Sequence, residues 1–537
     1  MPKMNNTDVK IYDTTLRDGC QAEHVSFSVE DKLRVAQRLI DLGVAYVEGG
    51  WPHETNPADL EFFQRARNLD WGHTKLAAFG STRRKDTTAA EDAILHYLIE
   101  SQAPVVTIFG KSWDLHVTDV LGTSLDENLA MIEDSVAFLK SQGREVIFDA
   151  EHFFDGYKAD PEYAMETLRA AANSGADWLV PCDTNGGTMP HEMQEIMAAV
   201  AADFQLPLGI HVHNDTGVAT ANSIIAVQSG ATQVQVTVNG YGERAGNADL
   251  CTVVPNLELK LGRRCLPEGK LSDITPLSLY VSEVANLPPN DRAPYVGTAA
   301  FAHKGGMHVD AVLKRPDSFE HTAPETVGNE RRVLVSDYAG RSTVLHKLQK
   351  LWPELERNDP LVAEVLSAVK QREYEGYQYE TAEASLELLA RRLRDELPEL
   401  FKLHGFRVIV DKDEHNAEPR AEATVRIDVN GDHLHTAAEG DGPVHALDLA
   451  LRKALLEKYP ALANIHLTDY KVRVLDATRG TATSVRVLIE ATDGEESWST
   501  VAAHENIIEA SWRALVDSIV YGLMRHQEDE AGRTVNE

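Results

Sequence analysis

Between residue 8 and about residue 262, short apolar runs alternate with longer amphipathic stretches. The runs fall at residues 9–12, 45–48, 76–79, 105–109, 146–149, 178–182, 208–213 and 234–238. They are of strand length, while the stretches 29–42, 126–142, 162–174 and 189–202 carry apolar residues at three- and four-residue spacing, the helical period. Eight strand–helix units in this length predict a (β/α)8 TIM barrel, with an open doubly wound sheet as the alternative. No Gly-x-Gly-x-x-Gly follows the first run, which counts against a dinucleotide-binding sheet.

Beyond the barrel the rhythm changes. Residues 271–404 are expected to form a helical subdomain and linker, with a turn at Pro288-Pro289-Asn290 and charged helical sequence from 355 onward. Residues 405–527 read as an α+β domain in two copies. Strands at 407–410, 422–429 and 433–438 precede a helix at 444–459, and strands at 470–475, 484–490 and 498–503 precede one at 507–525. Residues 528–537 read as a disordered tail.

In a TIM barrel, chemistry gathers where the strands end. Polar residues stand at those points: Asp13, Arg17 and Asp18 after the first run, Glu48 after the second, Glu151 and His152 after the fifth, and Asp183 and Thr184 after the sixth. The seventh run ends in His211-Val212-His213. Side chains two apart on a strand share a face, so both imidazoles point one way. With Asp18 they suit a divalent cation, although an Asx-type turn with an ion pair would explain Asp13–Asp18, and a packed core pair would explain the histidines. The loop 239–247 carries three glycines beside the eighth run.

Charge narrows the partners. A formal net charge of −32 repels nucleic acid and anionic membrane surfaces. No run approaches the length of a membrane span and the first residues lack a signal-peptide core, so the expected location is the cytoplasm. Four cysteines without a Cys-x-x-Cys spacing suggest neither a zinc ribbon nor a disulfide framework.

Asp-Thr-Thr-Leu-Arg-Asp-Gly at 13–19, His-Val-His-Asn-Asp at 211–215 and Gly-Glu-Arg-Ala-Gly-Asn at 242–247 together closely resemble the 2-isopropylmalate, homocitrate and citramalate synthase family. The segments 47–52 and 148–154 look most like its long citramalate synthase branch. The resemblance implies a metal-dependent condensation of acetyl-CoA with a 2-oxo acid, pyruvate in that branch, on a route to isoleucine. By the same resemblance Asp18, His211 and His213 are metal ligands, Asn247 completes the set directly or through water, and the cation is Mg²⁺, Mn²⁺ or Zn²⁺. Arg17 stabilises the alkoxide, Glu151 assists proton abstraction or activates water, and Thr184 holds the substrate carboxylate. His308, in His303-Lys304-Gly305-Gly306-Met307-His308, resembles an imidazole that acts in proton transfer from a partner subunit. The last domain resembles the family's dimerising, amino-acid-sensing domain, which implies a homodimer inhibited by isoleucine. Phe79, Ile108 and Phe109 are candidates for the wall that sets substrate size, with plain barrel filling as the other reading.

Overall fold

A computed structural model describes residues 8–412, 418–475 and 483–536, arranged in two compact units. The first takes residues up to Phe301 together with Thr322–Arg331. Its eight parallel strands, β1 (Lys10–Asp13), β2 (Tyr46–Gly50), β3 (Lys75–Ser81), β4 (Val105–Lys111), β5 (Glu145–Glu151), β6 (Trp178–Asp183), β7 (Gly209–Val212) and β8 (Gln233–Val236), form a closed barrel in sequence order. β1 pairs with β8, Asp13 lying opposite Val236, so the doubly wound alternative is excluded. The helices that the periodicity predicts run from Val29 to Leu42, Leu125 to Ser141, Pro161 to Asn173 and Pro190 to Asp203. The first shows why they begin and end there: Ser28 and Asp31 form a reciprocal cap, and Gly43 closes the helix in the left-handed conformation at φ 90°.

Strand alternation divides the barrel residues into two sets. One set, including Ile11, Val47, Ile108, Phe148 and Ile210, packs in the large core together with the helices. The other fills the barrel interior with Tyr12, Tyr46, Ala77, Val105, Ile147, Val180 and Cys182. Stepping two residues along a strand from this interior layer leads to Glu48, Phe79 and Asp149 at the C-terminal rim, and two more to Glu151. The barrel thus presents its chemistry by the same period of two that fills its core.

The second unit comprises Ala302–His321 and Arg332–Glu537. A short parallel pair, β9 (Ala302–His303) and β10 (Arg332–Val333), precedes two antiparallel three-stranded sheets. These are β11 (Lys402–Asp411), β12 (Arg420–Val429) and β13 (Asp432–Gly440), then β14 (His466–Val474), β15 (Val485–Thr492) and β16 (Ser497–His504), each sheet followed by a helix. The duplicated pattern is therefore present. The expected subdomain at 271–404 is divided instead. The helix Ile274–Val284 belongs to the first unit, whereas Val335 to Leu400 share one apolar core with both sheets. The Ser385 hydroxyl shows that union, accepting from the Val501 amide at 2.9 Å. The final helix, Ile507–Asn536, also runs through positions read as a disordered tail. No described helix is long and apolar enough to cross a membrane.

Candidate active site

The loop after β1 brings Asp18 to the rim opposite β7. Asp18 Oδ2 lies 3.3 Å from His211 Nε2 and 3.8 Å from His213 Nε2, and all three residues are buried. Asn247 Nδ2 donates to the same carboxylate oxygen at 2.9 Å. Burial opposes the Asp18 charge, but Arg17, His211, His213 and the Asn247 bond outweigh it and hold the carboxyl at about 2. Burial, with His211 adding to it, lowers His213 to about 3. His213 is thus held as a neutral imidazole beside the Asp18 carboxylate.

These residues fit a divalent cation. The His211 Nδ1 edge is occupied by Gln235 Oε1 at 2.8 Å, so the Nε2 lone pair faces the Asp18 oxygen. Acceptors that converge in this way suit a bound cation. Asn247 adds a buried side-chain oxygen without a hydrogen-bond partner, and exchange of its amide ends would turn that oxygen to the cluster. Its loop depends on glycine, because a Cβ on Gly242 would collide with this oxygen. A second trio, His404, Asp428 and His433, has ligand atoms within 4.8 Å of one another, but both histidines are exposed and Lys402 lies opposite Asp428 in the register. It is the poorer cation site.

Beside the buried cluster lies a cavity of about 210 Å³, lined by Arg17, Asp18, Trp51, Phe79, Phe109, Asp149, Glu151, Thr184 and both histidines among others. Arg17 is fixed on two sides: its Nε donates to Glu48 Oε1 at 2.6 Å, and its guanidinium lies 3.7 Å from the centre of the Phe79 ring. Glu48 also accepts from Tyr12 and, at 2.5 Å, from Thr14. Phe79 stacks on Phe109 at 5.5 Å, and Trp51 stands edge-on to both at 5.7 Å. Glu151 forms an ion pair with Lys111. Thr184 Oγ1 accepts from the His152 amide at 2.9 Å, which leaves its proton free to donate.

Sequence reasoning thus names most of this rim. Asp13, Ile108 and His308 do not line this cavity. Asp13 turns back on its own loop, accepting from the Thr15 amide and hydroxyl at 2.9 and 3.0 Å, which is the Asx-type turn read as its alternative. Ile108 packs in the outer core because it is one residue, and so one face, removed from Phe109. His308 belongs to the second unit, on the helix Gly306–Lys314, and stacks on Phe319 at 4.3 Å. Trp51, Lys111, Asp149 and Gln235 were missed. Parity is the signal for two of them: Lys111 stands two positions from the cavity-lining Phe109, and Asp149 two from the inward-facing Ile147.

A family model described as HMGL-like matches residues 8–281, one described as the homocitrate synthase post-HMGL domain matches 295–376, and one described as the LeuA allosteric (dimerisation) domain matches 380–523. The (R)-citramalate synthase of Aquifex aeolicus is 53% identical over 97% of this chain and 99% of its own length. The chain belongs to the (R)-citramalate synthase family. A second member, from Geobacter sulfurreducens, is 51% identical over 98% of this chain and 99% of its own. A probable 2-isopropylmalate synthase from Methanopyrus kandleri is 32% identical over 95% and 97% respectively. Membership of the (R)-citramalate synthase family makes the chain an acyltransferase built on an HMGL-like barrel.

Proposed function

We propose that this chain condenses acetyl-CoA with pyruvate and water to give (R)-citramalate and CoA. The observation that carries the reading is nearly full-length identity of 45–53% to five (R)-citramalate synthases. The small cavity and its wall of three aromatic rings support a short 2-oxo acid over a branched one.

Asp18, His211 and His213 hold a divalent cation, Mg²⁺, Mn²⁺ or Zn²⁺, with Asn247 completing the set. When bound, the cation supplies Lewis-acid polarisation of the substrate ketone. Arg17, immobilised by Glu48 and Phe79, donates to the ketone oxygen as it gains charge during carbon–carbon bond formation. The Thr184 hydroxyl donates to the substrate carboxylate. Glu151, oriented by Lys111, assists removal of a proton from the acetyl methyl group or activates the water that cleaves the thioester. His308 acts in proton transfer. Phe79 and Phe109 wall the space around the pyruvate methyl.

The reaction opens a threonine-independent route to isoleucine in the cytoplasm. Isoleucine binds the duplicated α+β region and lowers turnover, and the chain works as a homodimer; the match to an allosteric, dimerising domain supports both. The test is CoA release with Mg²⁺ or Mn²⁺ across pyruvate, 2-oxobutyrate, 2-oxoisovalerate and 2-oxoglutarate. Pyruvate is expected to be preferred. Brisk release with 2-oxoisovalerate or 2-oxoglutarate, and none with pyruvate, would make the chain a 2-isopropylmalate or homocitrate synthase instead.

A further inference from the structure

Gln235 lies on β8, 1% exposed, with each end of its amide committed. Its Oε1 faces His211 Nδ1 at 2.8 Å and its Nε2 donates to Asp149 Oδ1 at 2.9 Å. Asp149 is buried on β5 and borders the substrate cavity. Burial, with Glu48 adding to it, pushes the Asp149 carboxyl well above the usual carboxylate range, but in either charge state its Oδ1 accepts from the Gln235 amide nitrogen, which leaves the amide oxygen facing the imidazole. An amide oxygen can only accept in turn, so His211 carries its proton on Nδ1. Its Nε2 lone pair is thereby delivered to Asp18 and His213. His213 has no such support, since its Nδ1 is buried without a hydrogen-bond partner. The fixed polarity of the cluster enters at one place.

We propose that Asp149 and Gln235 are positioning residues that together set the His211 tautomer, and so make the Asp18–His211–His213 cluster competent for a divalent cation. The inference rests on the metal-site reading above. It also ties the cation site to the substrate cavity, because the carboxylate that orients the amide lines that cavity. Asp149→Asn keeps the shape but adds an amide nitrogen, and in the orientation that turns this nitrogen to Gln235 the substituted side chain donates to Oε1. The Gln235 amide then turns, its nitrogen faces His211 Nδ1, and the imidazole proton moves to Nε2, where it blocks ligation. Adding Gln235→Glu restores the polarity by a different route, since the new carboxylate accepts both from the amide introduced on β5 and from His211 Nδ1.

The experiment is Mn²⁺ titration of the metal-free full-length protein, with free Mn²⁺ read by electron paramagnetic resonance. Unmodified protein, Asp18→Ala, Asp149→Asn, Gln235→Leu and the Asp149→Asn/Gln235→Glu pair are compared, each checked by circular dichroism. Asp149→Asn and Gln235→Leu are expected to weaken Mn²⁺ binding by about 10–100-fold, the usual cost of losing a partner of a metal-bound histidine. The double variant should recover most of that loss, which a role confined to packing would not produce. Asp18-dependent binding that ignores Asp149→Asn and Gln235→Leu overturns the inference alone, as does a double variant no tighter than Asp149→Asn. Unmodified protein whose Mn²⁺ binding is absent or indifferent to Asp18→Ala overturns the metal site along with it.

Discussion

Glu48 is the hinge of the arginine's position, and replacing it with glutamine isolates its charge from its shape. The carboxylate is fully buried and takes Thr14 and Arg17 on Oε1 and Tyr12 on Oε2. A glutamine placed with its oxygen at the Oε1 position keeps the first two donors. Its nitrogen then meets the Tyr12 hydroxyl, which turns to accept and passes its own proton to Thr107 Oγ1, 2.8 Å away. The Thr107 proton, which Tyr12 accepted before, loses that acceptor, so the change removes the negative charge opposite Arg17 together with one buried donor's bond. Hydrogen bonds to charged groups contribute about 1.5–3 kcal/mol against about 0.5–1.5 for neutral ones, so Glu48→Gln should cost about 1–2 kcal/mol of stability. If the looser guanidinium loses a similar amount of transition-state contact, turnover falls about tenfold. Glu48→Leu leaves the largely buried Arg17 without its main partner and should cost more than Glu48→Gln, towards the roughly 3–5 kcal/mol of a broken buried pair. Chemical denaturation and CoA release with pyruvate read the two effects separately. A Glu48→Gln protein with unchanged turnover and unchanged stability would refute the idea that Glu48 fixes Arg17, and so would Glu48→Leu proving no worse than Glu48→Gln.

Asp18→Ala and His213→Ala should each abolish metal-dependent CoA release while leaving the circular dichroism spectrum intact; activity surviving in both would remove the proposed metal site. Trp51→Ala or Phe79→Ala should move the preference from pyruvate towards 2-oxobutyrate by about 10–200-fold, the range of about 1–3 kcal/mol per methylene, and an unchanged ratio of kcat/KM values would return these rings to barrel filling. Burial, with Glu48 adding to it, raises the Asp13 carboxyl to about 7 despite its bonds from Thr15, against about 3.9 for an unfolded chain. The stability this contributes is complete below about pH 4 and is lost as pH rises through 7, at up to about 1.4 kcal/mol per unit. Asp13→Asn should therefore flatten the melting temperature between pH 5 and 8, and a slope unchanged by the substitution would refute the assignment. Isoleucine should lower turnover of the full chain more than leucine or valine does, and indifference to all three would remove the regulatory reading.

The barrel was legible because each buried strand is a short apolar run bounded by turn residues, a signal that survives without long-range information. Asp18, His211 and His213 were legible because their neighbours form recognisable local motifs. Gln235 and Asp149 were not, since Gln235 lies inside an apolar run and Asp149 reads as the polar end of one; only barrel closure brings Asp149 to Gln235 and Gln235 to His211. Trp51 was noticed only as part of a branch-like segment, because its edge-on contacts with Phe79 and Phe109 join three different strand ends. The helical region falls in both compact units for a related reason. Charged amphipathic sequence declares that it needs an apolar partner without saying which one, and residues from Val335 to Leu400 find theirs in the sheets.

The seam between β1 and β8 also bears on how the protein is made. The Val238 amide donates to Thr15 Oγ1 at 2.8 Å, and the same threonine holds Asp13, so the loop carrying Arg17 and Asp18 is locked by residues that follow it by more than two hundred positions. A ribosome adding about 5–20 residues per second needs roughly 10–50 s to span that separation. Throughout that interval the first strand has an unpaired edge and Asp18 has none of its eventual companions. The proposed cation site is therefore assembled only after β7, β8 and the loop carrying Asn247 have emerged.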